Sequence, residues 1–483
     1  MAACGRNFTV VVTESGDVFA LGKAGELAHN TFEHQLLPAG VAGSKVLVRI
    51  VMVAAGLAHS ASVTVEGTLL TWGDGTRGQL GYGDLQNRLR PTLLGKELFG
   101  GKPAVMVACG NFHTLVLTAG GLWTCGFGQN GRLGHGDEAD KLVLTQVVAQ
   151  RFDGNAQIVM VAAGGMHSMA VGSEGGVWTW GYGVCLGHND MQDRHVPTLL
   201  AGAAFDRGQA VMVATGAAHS LLLTSEGGLW AWGDNGSGQL GTAGPDQFKL
   251  APARVREGDV FWGSPVRMAA CGDKHSLIVT EAGILWSFGQ GAYGALGHHD
   301  INERREPTQV ESQHFDDAKI VSAAGGASHS AAVSEHGTLY MWGMGAGGDA
   351  SPMGLDNMQH KLVPTCVAPH LLRGARVGRC HRALPLHALA FAMGTHPRLG
   401  SASPKAAPAA AARCGRSRKS RRLQGDAPAP TADTRMGCAY VTMPGELVQR
   451  VVEACASWPE GRAGELEGVV RLLGGMMKDK VSP

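Results

Sequence analysis

A histidine followed by serine or threonine recurs at His59, His113, His167, His219, His275 and His329, at intervals of 54, 54, 52, 56 and 54 residues. Phe8-Thr9 stands in the same place 51 residues before His59. Glycine follows 14 residues later at Gly22, Gly73, Gly181, Gly233, Gly289 and Gly343, and 13 residues later at Gly126. Self-similarity at a fixed period is the mark of solenoids, propellers and arrays. Seven copies fill the chain to about residue 370. The length of 483 residues alone would suggest about three domains, and the repeat replaces that expectation with one array and a tail.

One copy contains only short strand signals. Ile50–Ala55 is a continuous apolar run, His59–Thr64 alternates with β-branched residues, and Thr68–Trp72 is followed by a glycine-rich loop. Arg90-Pro91-Thr92-Leu93-Leu94 then reads as an edge segment, because proline is confined to sheet edges. No copy holds 10–12 residues with apolar spacing near 3.6, so helices are not the repeating unit. Each repeat is expected to be an antiparallel sheet of three or four strands. Such a sheet cannot bury both faces alone, and seven arranged radially can. The expected fold is therefore all-β, a seven-bladed β-propeller, with Ala375–Cys380 and His387–Met393 closing the ring beside the N-terminal strands.

The repeated residues, as in Ala54-Ala55-Gly56-Leu57-Ala58-His59-Ser60 and Trp72-Gly73-Asp74-Gly75-Thr76-Arg77-Gly78-Gln79-Leu80-Gly81, resemble the regulator of chromosome condensation repeat family. The resemblance implies seven blades of four strands. Its founding type is a guanine nucleotide exchange factor for a small GTPase that works through a wedge hairpin inserted in one blade. The even spacing of the copies before Gly343 leaves no room for a large insertion. An ultraviolet-B photoreceptor branch of the family carries Trp two residues before the blade histidine, where this chain has Leu57, Asn111, Gly165, Ala217, Asp273 and Ala327. Ligases of the family couple the propeller to a catalytic domain that the residues after the ring do not resemble, so a role in ubiquitin transfer would be that of an adaptor.

Chemistry-bearing motifs read mostly as architecture. Three G-x-G-x-x-G strings, beginning at Gly73, Gly126 and Gly289, fall in register with the repeat and precede turns rather than the helix a dinucleotide site needs. The six histidines sit on different blades, too far apart to share a metal, and are expected to hydrogen-bond loops within their own blades. The paired Trp178/Trp180 and Trp230/Trp232 point to one sheet face each and are expected to pack between blades. Cys4, Cys109 and Cys271 share a position with alanine in other copies and read as small buried fillers. Asp84, Asp137, Asp190 and Asp300 each precede a basic residue by four positions and are expected to support rim turns, with a partner-binding surface as the alternative. No catalytic, cofactor or metal residue is assigned, and the protein is expected not to be an enzyme.

The formal net charge of +1 gives no global attraction to nucleic acid or membrane. Seven basic residues and no acid lie within 405–422. Arg413, Arg416, Arg418, Lys419, Arg421 and Arg422 form a cluster that reads as a nuclear-import or phosphate-contact element in solvated linker. The domain reading is a propeller over 1–396, a disordered Ala/Pro/Arg-rich linker over 397–435, and two short amphipathic helices over 436–483. Ten cysteines without a C-x-x-C pair, no signal peptide and no membrane span give an intracellular expectation, cytoplasmic or nuclear.

The functional expectation is a protein–protein interaction propeller, monomeric, with a regulatory or scaffold role. The alternative is a guanine nucleotide exchange factor. Candidate partners are a small GTPase or a ubiquitin-pathway component, with nucleic acid reached only through the basic linker and no membrane contact. Deleting residues 413–422 from a fluorescently tagged full chain is expected to abolish nuclear accumulation, and an unchanged distribution would count against import.

Overall fold

In the computed structural model the repeat becomes seven four-stranded antiparallel sheets, spanning 2–40, 50–94, 104–146, 158–200, 210–254, 266–309 and 320–366. The structure describes residues 1–22, 35–40, 49–152, 156–200, 205, 208–255, 261, 263–345, 359–368, 372 and 376–378. All of them belong to one compact unit, residues 1–402, and the second unit, 403–483, lies outside the described residues. The expected linker and C-terminal helices, together with the segment His387–Met393, therefore fall outside them.

Within each blade consecutive strands pair as a meander, four strands rather than three. In the second blade these are Ile50–Ala55, His59–Thr64, Leu69–Gly73 and Arg88–Leu94. The first strands of adjoining blades contact one another around the axis. Each second strand from the second blade onward is buried along its whole length, because neighbouring blades cover both of its faces. That is why these strands carry apolar residues on both faces, as in Leu221-Leu222-Leu223, and do not keep the alternation read for His59–Thr64.

The spacing between histidine and glycine follows from the hairpin joining the second and third strands. His59 lies directly opposite Gly73, as His167 does Gly181 and His275 does Gly289. Gly73 has φ +101, and a Cβ there would sit 2.6 Å from Ala58 O and 2.8 Å from His59 Cα. Only glycine lets the third strand pass so close to the histidine backbone. In the third blade Thr118 pairs with Gly121 across a shorter turn, which keeps His113 opposite Gly126 with one residue fewer between them.

The histidine side chains correct the sequence reading, because they reach into the next blade and not into their own. His59 Nε2 lies 2.9 Å from Thr114 Oγ1, His113 Nε2 2.9 Å from Ser168 Oγ, and His167 Nε2 2.8 Å from Ser220 Oγ. His219 meets Ser276 at 3.1 Å, His275 meets Ser330 at 2.9 Å, and His329 meets Thr9 at 3.0 Å, which closes the circle from the last blade to the first. The reason is face-to-face packing of the sheets: a side chain leaving a buried second strand meets the adjoining blade first.

Five of the six receiving hydroxyls, Thr114, Ser168, Ser220, Ser276 and Ser330, also donate to a loop carbonyl of the preceding blade, as Thr114 does to Gln79 at 2.7 Å and Ser168 to Arg132 at 2.8 Å. A hydroxyl has a single proton, so it must accept from the imidazole. The histidines facing these five hydroxyls, His59, His113, His167, His219 and His275, therefore carry hydrogen on Nε2, and desolvation by burial keeps them neutral with a lone pair on Nδ1. Among the described residues, Nδ1 of His59, His113, His167, His219 and His329 has no partner.

The junction between the first and second blades is different. Phe8 occupies the histidine position and packs with Val53 and Trp72. The waiting hydroxyl, Ser60 Oγ, is buried and has no partner among the described residues.

Two further features bind the ring. Rim loops pair with the outer strand of the following blade, through Gly83 N to Leu142 O, Gly136 N to His195 O and Asn189 N to Leu250 O at 2.9, 2.8 and 2.7 Å. At the closure, Val377 forms an antiparallel bridge with Thr13 while its amide donates to Gly337 O of the last blade at 3.0 Å, and Gly378 N donates to Val12 O at 2.9 Å. This part of the expected closing segment does lie beside the N-terminal strands.

Two predictions follow from the histidine circle. Ser168→Ala should cost about 1–3 kcal/mol, because it orphans a buried imidazole N–H, whereas Ser60→Ala should change stability by less than about 0.5 kcal/mol. Denaturant unfolding of the two variants checks this, and equal losses would contradict the assignment. Desolvation holds the pKa of His59 and His275 down at about 4 and that of His167, His219 and His329 at about 3. The unfolded chain then binds more protons than the folded one between these values and the ordinary 6.5. Their stabilisation is complete above about pH 6.5 and is lost as pH falls toward 4, at up to about 1.4 kcal/mol per pH unit for each histidine. Tm should accordingly be flat near neutrality and drop steeply between about pH 6 and pH 4.5, and a flat profile to pH 4.5 would refute it.

Candidate functional site

The turn between first and second strands begins with a glycine in every blade, and together these turns frame the mouth of the central channel. Gly110 shows why the residue is required: a Cβ would lie 2.3 Å from His113 Cε1 and 2.4 Å from Gly164 O of the next blade. Backbone bonds then run from turn to turn, with Arg6 N donating to Leu57 O, Leu57 N to Gly110 O, Asn111 N to Gly164 O and Asp273 N to Gly326 O at 3.1–3.3 Å. Six of the seven amides that follow the glycines are thus engaged by the neighbouring turn, and the side chains there face the mouth.

Seven side chains occupy that position: Arg6, Leu57, Asn111, Gly165, Ala217, Asp273 and Ala327. They surround a funnel whose walls are otherwise glycine, alanine, threonine and the channel cysteines. Burial raises the pKa of Asp273, and the positive charges of Arg6 and Lys274 act against that rise. The funnel thus opposes one acid to nearby basic groups around a surface of peptide bonds. Small-molecule sites are lined mainly by apolar and aromatic side chains, and Leu57 is the one large apolar side chain in this lining. The mouth suits a polar projection from another macromolecule.

The other candidates are structural in the described residues. Burial pushes the thiols of Cys4 and Cys109 up to about 12, so they remain protonated fillers. The indoles pack between blades as expected, Trp232 Nε1 donating to Cys185 O at 2.8 Å and Trp342 Nε1 to Ala295 O at 2.9 Å across a junction. Trp178 and Trp180 share one face, with Phe152 5.7 and 6.3 Å away. The rim carboxylates meet their partners, Asp84 with Arg88 at 2.6 Å, Asp137 with Lys141 at 3.1 Å, Asp190 with Arg194 at 2.8 Å and Asp300 with Arg304 at 2.6 Å. Each also accepts the amide two residues on, as Gln192 N does to Asp190 Oδ1 at 2.9 Å, so the pair does pin a turn. Arg194 and this amide hold the Asp190 carboxyl down at about 2.

Sequence reading missed a second set of histidines. His135, His188 and His298 place Nε2 2.8, 3.0 and 2.8 Å from the hydroxyls of Thr124, Thr179 and Ser287 in their own blades. Their signal was present in the recurring Leu-Gly-His triplet, with Tyr82 standing in for histidine in the second blade. It also missed His299, Glu311 and His314, which come together from a rim loop of the sixth blade and the turn that follows that blade. Arg413, Arg416, Arg418, Lys419, Arg421 and Arg422 lie outside the described residues.

Comparison with known proteins agrees with this architecture. Residues 83–403 match the RCC1-like domain and residues 50–79 the regulator of chromosome condensation (RCC1) repeat. The chain is 34% identical over 299 residues to the ultraviolet-B receptor UVR8 of Arabidopsis thaliana, covering 61% of this chain and 65% of that protein. It is 32% identical over 325 residues to the E3 ubiquitin-protein ligase HERC2 of Homo sapiens, covering 63% of this chain and 6% of the ligase. The chain thus spans less than two thirds of either relative. The structure of Prp20p from Saccharomyces cerevisiae superposes with a TM-score of 0.62 at 24% identity, covering 74% of this chain and 87% of that one, and supports the fold alone. The seven-fold blade architecture and these matches place the chain in the RCC1-like domain family.

Proposed function

We propose that the propeller is a protein-recognition platform with a regulatory or scaffold role and no chemistry of its own, which engages a partner through the face carrying the channel mouth. The observation that supports it is the contrast at the first turn of each blade. The backbone there is repeated and hydrogen-bonded from turn to turn, while the side chain that follows varies as Arg6, Leu57, Asn111 and Asp273. A family framework thereby presents a surface particular to this chain, with the charge complementarity that sets partner choice. The six inter-blade histidines and His135, His188 and His298 are spent on structural bonds.

The partner class is a protein of the small GTPase or ubiquitin pathways. Relatives supply the analogy: the structure of Prp20p was described with its binding to Gsp1p and histones, and HERC2 is a ubiquitin-protein ligase. The basic cluster Arg413–Arg422 is proposed to direct the chain to the nucleus. The six described cysteines are free, which fits an intracellular setting, cytoplasmic or nuclear. Among the described residues no helix is long and apolar enough to cross a membrane.

A photo-reactive amino acid placed at Leu57 or Asn111 should cross-link a partner in cells, and the same group at Val65, in the turn at the opposite end of the second strand, should not. Combining the probe with Asp273→Lys should abolish the adduct. Equal cross-linking from both faces would contradict the reading, and so would catalysed release of labelled nucleotide from a small GTPase, which would establish the exchange-factor alternative.

A further inference from the structure

Away from the channel mouth, a rim loop and a connecting turn of the sixth blade bring three ligand-type side chains to one point. His299 Nε2 lies 2.9 Å from His314 Nε2. Glu311 Oε2 lies 3.4 Å from His314 Nε2 and 3.8 Å from His299 Nε2. Tetrahedral zinc takes nitrogen at about 2.0–2.1 Å and carboxylate oxygen at about 2.0–2.2 Å, which sets neighbouring ligand atoms roughly 3.3–3.5 Å apart. The three separations here straddle that range, and rotamer adjustments on the order of 0.5 Å would equalise them.

The backbone on both sides is held by contacts that do not depend on an ion. His299 N donates to Leu362 O of the seventh blade at 3.0 Å. Its φ is +65, and it stands where other blades place Gly83, Gly136, Asn189 and Ala243, all with positive φ. A bulky residue is thus kept in a left-handed conformation that glycine adopts without cost, and such outliers concentrate at functional sites. His314 belongs to the turn Ser312–Phe315, anchored by Phe315 against Tyr340 at 5.2 Å and by Ser312 Oγ donating to Asp317 Oδ1 at 2.7 Å.

The third blade shows what the repeat does without these residues. There Arg151 takes the place of His314, with Gly136 opposite, and its guanidinium donates to the carbonyls of Gly134 and His135. In the sixth blade that donor-only contact is replaced by two imidazoles and a carboxylate, groups that can donate electron pairs to a metal. His314 is 15% exposed, while His299 and Glu311 are 58% and 59% exposed, so an ion could enter and would keep one side open to solvent.

The geometry points to a binding site for a divalent transition metal of the zinc class, with His299 Nε2, His314 Nε2 and Glu311 Oε2 as ligands and water in the fourth position. The ion would join the rim loop of the sixth blade to the turn that leads into the seventh, acting as a staple across that part of the ring. This inference is independent of the partner proposed above.

Zinc titration of the metal-stripped full chain against a chromophoric chelator tests it. The wild-type chain should bind one equivalent more than His299→Gly, since other histidines and cysteines contribute equally to both. Zinc should raise the Tm of the wild type and leave that of the variant unchanged. Without zinc the variant should melt no lower than the wild type, because glycine relieves the positive φ, so loss of binding could not be ascribed to misfolding. Equal zinc stoichiometry in the two proteins would overturn the proposal and leave the imidazoles sharing only a hydrogen bond.

Discussion

The ring depends on a bond between a buried imidazole N–H and a hydroxyl one blade further on. Made at six junctions, it ties the second strand of each blade to the second strand of its neighbour, where both are out of contact with water. Several local features serve this bond. The glycine opposite each histidine lets the hairpin close against it, the glycine of the preceding turn leaves room for the ring, and the hydroxyl is oriented by a loop carbonyl behind it. A protonated imidazole would place a charge in a dry interface with its second N–H unpaired, so the pattern works only while the histidines stay neutral. The first junction, with Phe8 in the histidine position, replaces the bond by apolar packing against Val53 and Trp72 and leaves Ser60 Oγ without a partner among the described residues.

This division of labour explains how one fold serves many functions. Specificity has to be written on positions that the framework leaves free. Here those are the side chains after the first-turn glycines and the exposed parts of the rim loops. Arg6 and Asp273 contribute opposite charges to the channel mouth, while their amides take part in the same backbone circle as Leu57 and Asn111. A relative with aromatic residues at such positions would acquire different chemistry without changing a blade, and shared ancestry with a photoreceptor or a ligase transfers the scaffold rather than the activity.

Much of the fold was legible in the sequence, because a repeated pattern gives the same message seven times. The blade count, the strands and the rim pairs such as Asp190 with Arg194 all stood in periodic residues. The destination of the histidines did not, since a period states that positions are equivalent and says nothing of which neighbour a side chain faces. His59 and Thr114 are 55 residues apart and meet only once two sheets are stacked. The cluster of His299, Glu311 and His314 was invisible for another reason: it is a departure from the repeat, assembled from two segments and, among the described residues, not repeated in another copy. Ring closure was read partly, with Val377 beside Thr13 as expected and the main link, His329 to Thr9, hidden in the first worn copy.

The central claim concerns the protonation state of six side chains. Nitrogen-15 NMR of selectively histidine-labelled protein reports it directly, because the two ring nitrogens of a neutral imidazole differ strongly according to which carries hydrogen. The account predicts a set of six buried histidines in the Nε2–H tautomer that remain neutral at pH 5 and lose this signature together on unfolding. Finding them charged at pH 5 in the folded protein, or carrying hydrogen on Nδ1, would contradict the inter-blade bond on which the ring is argued to rest.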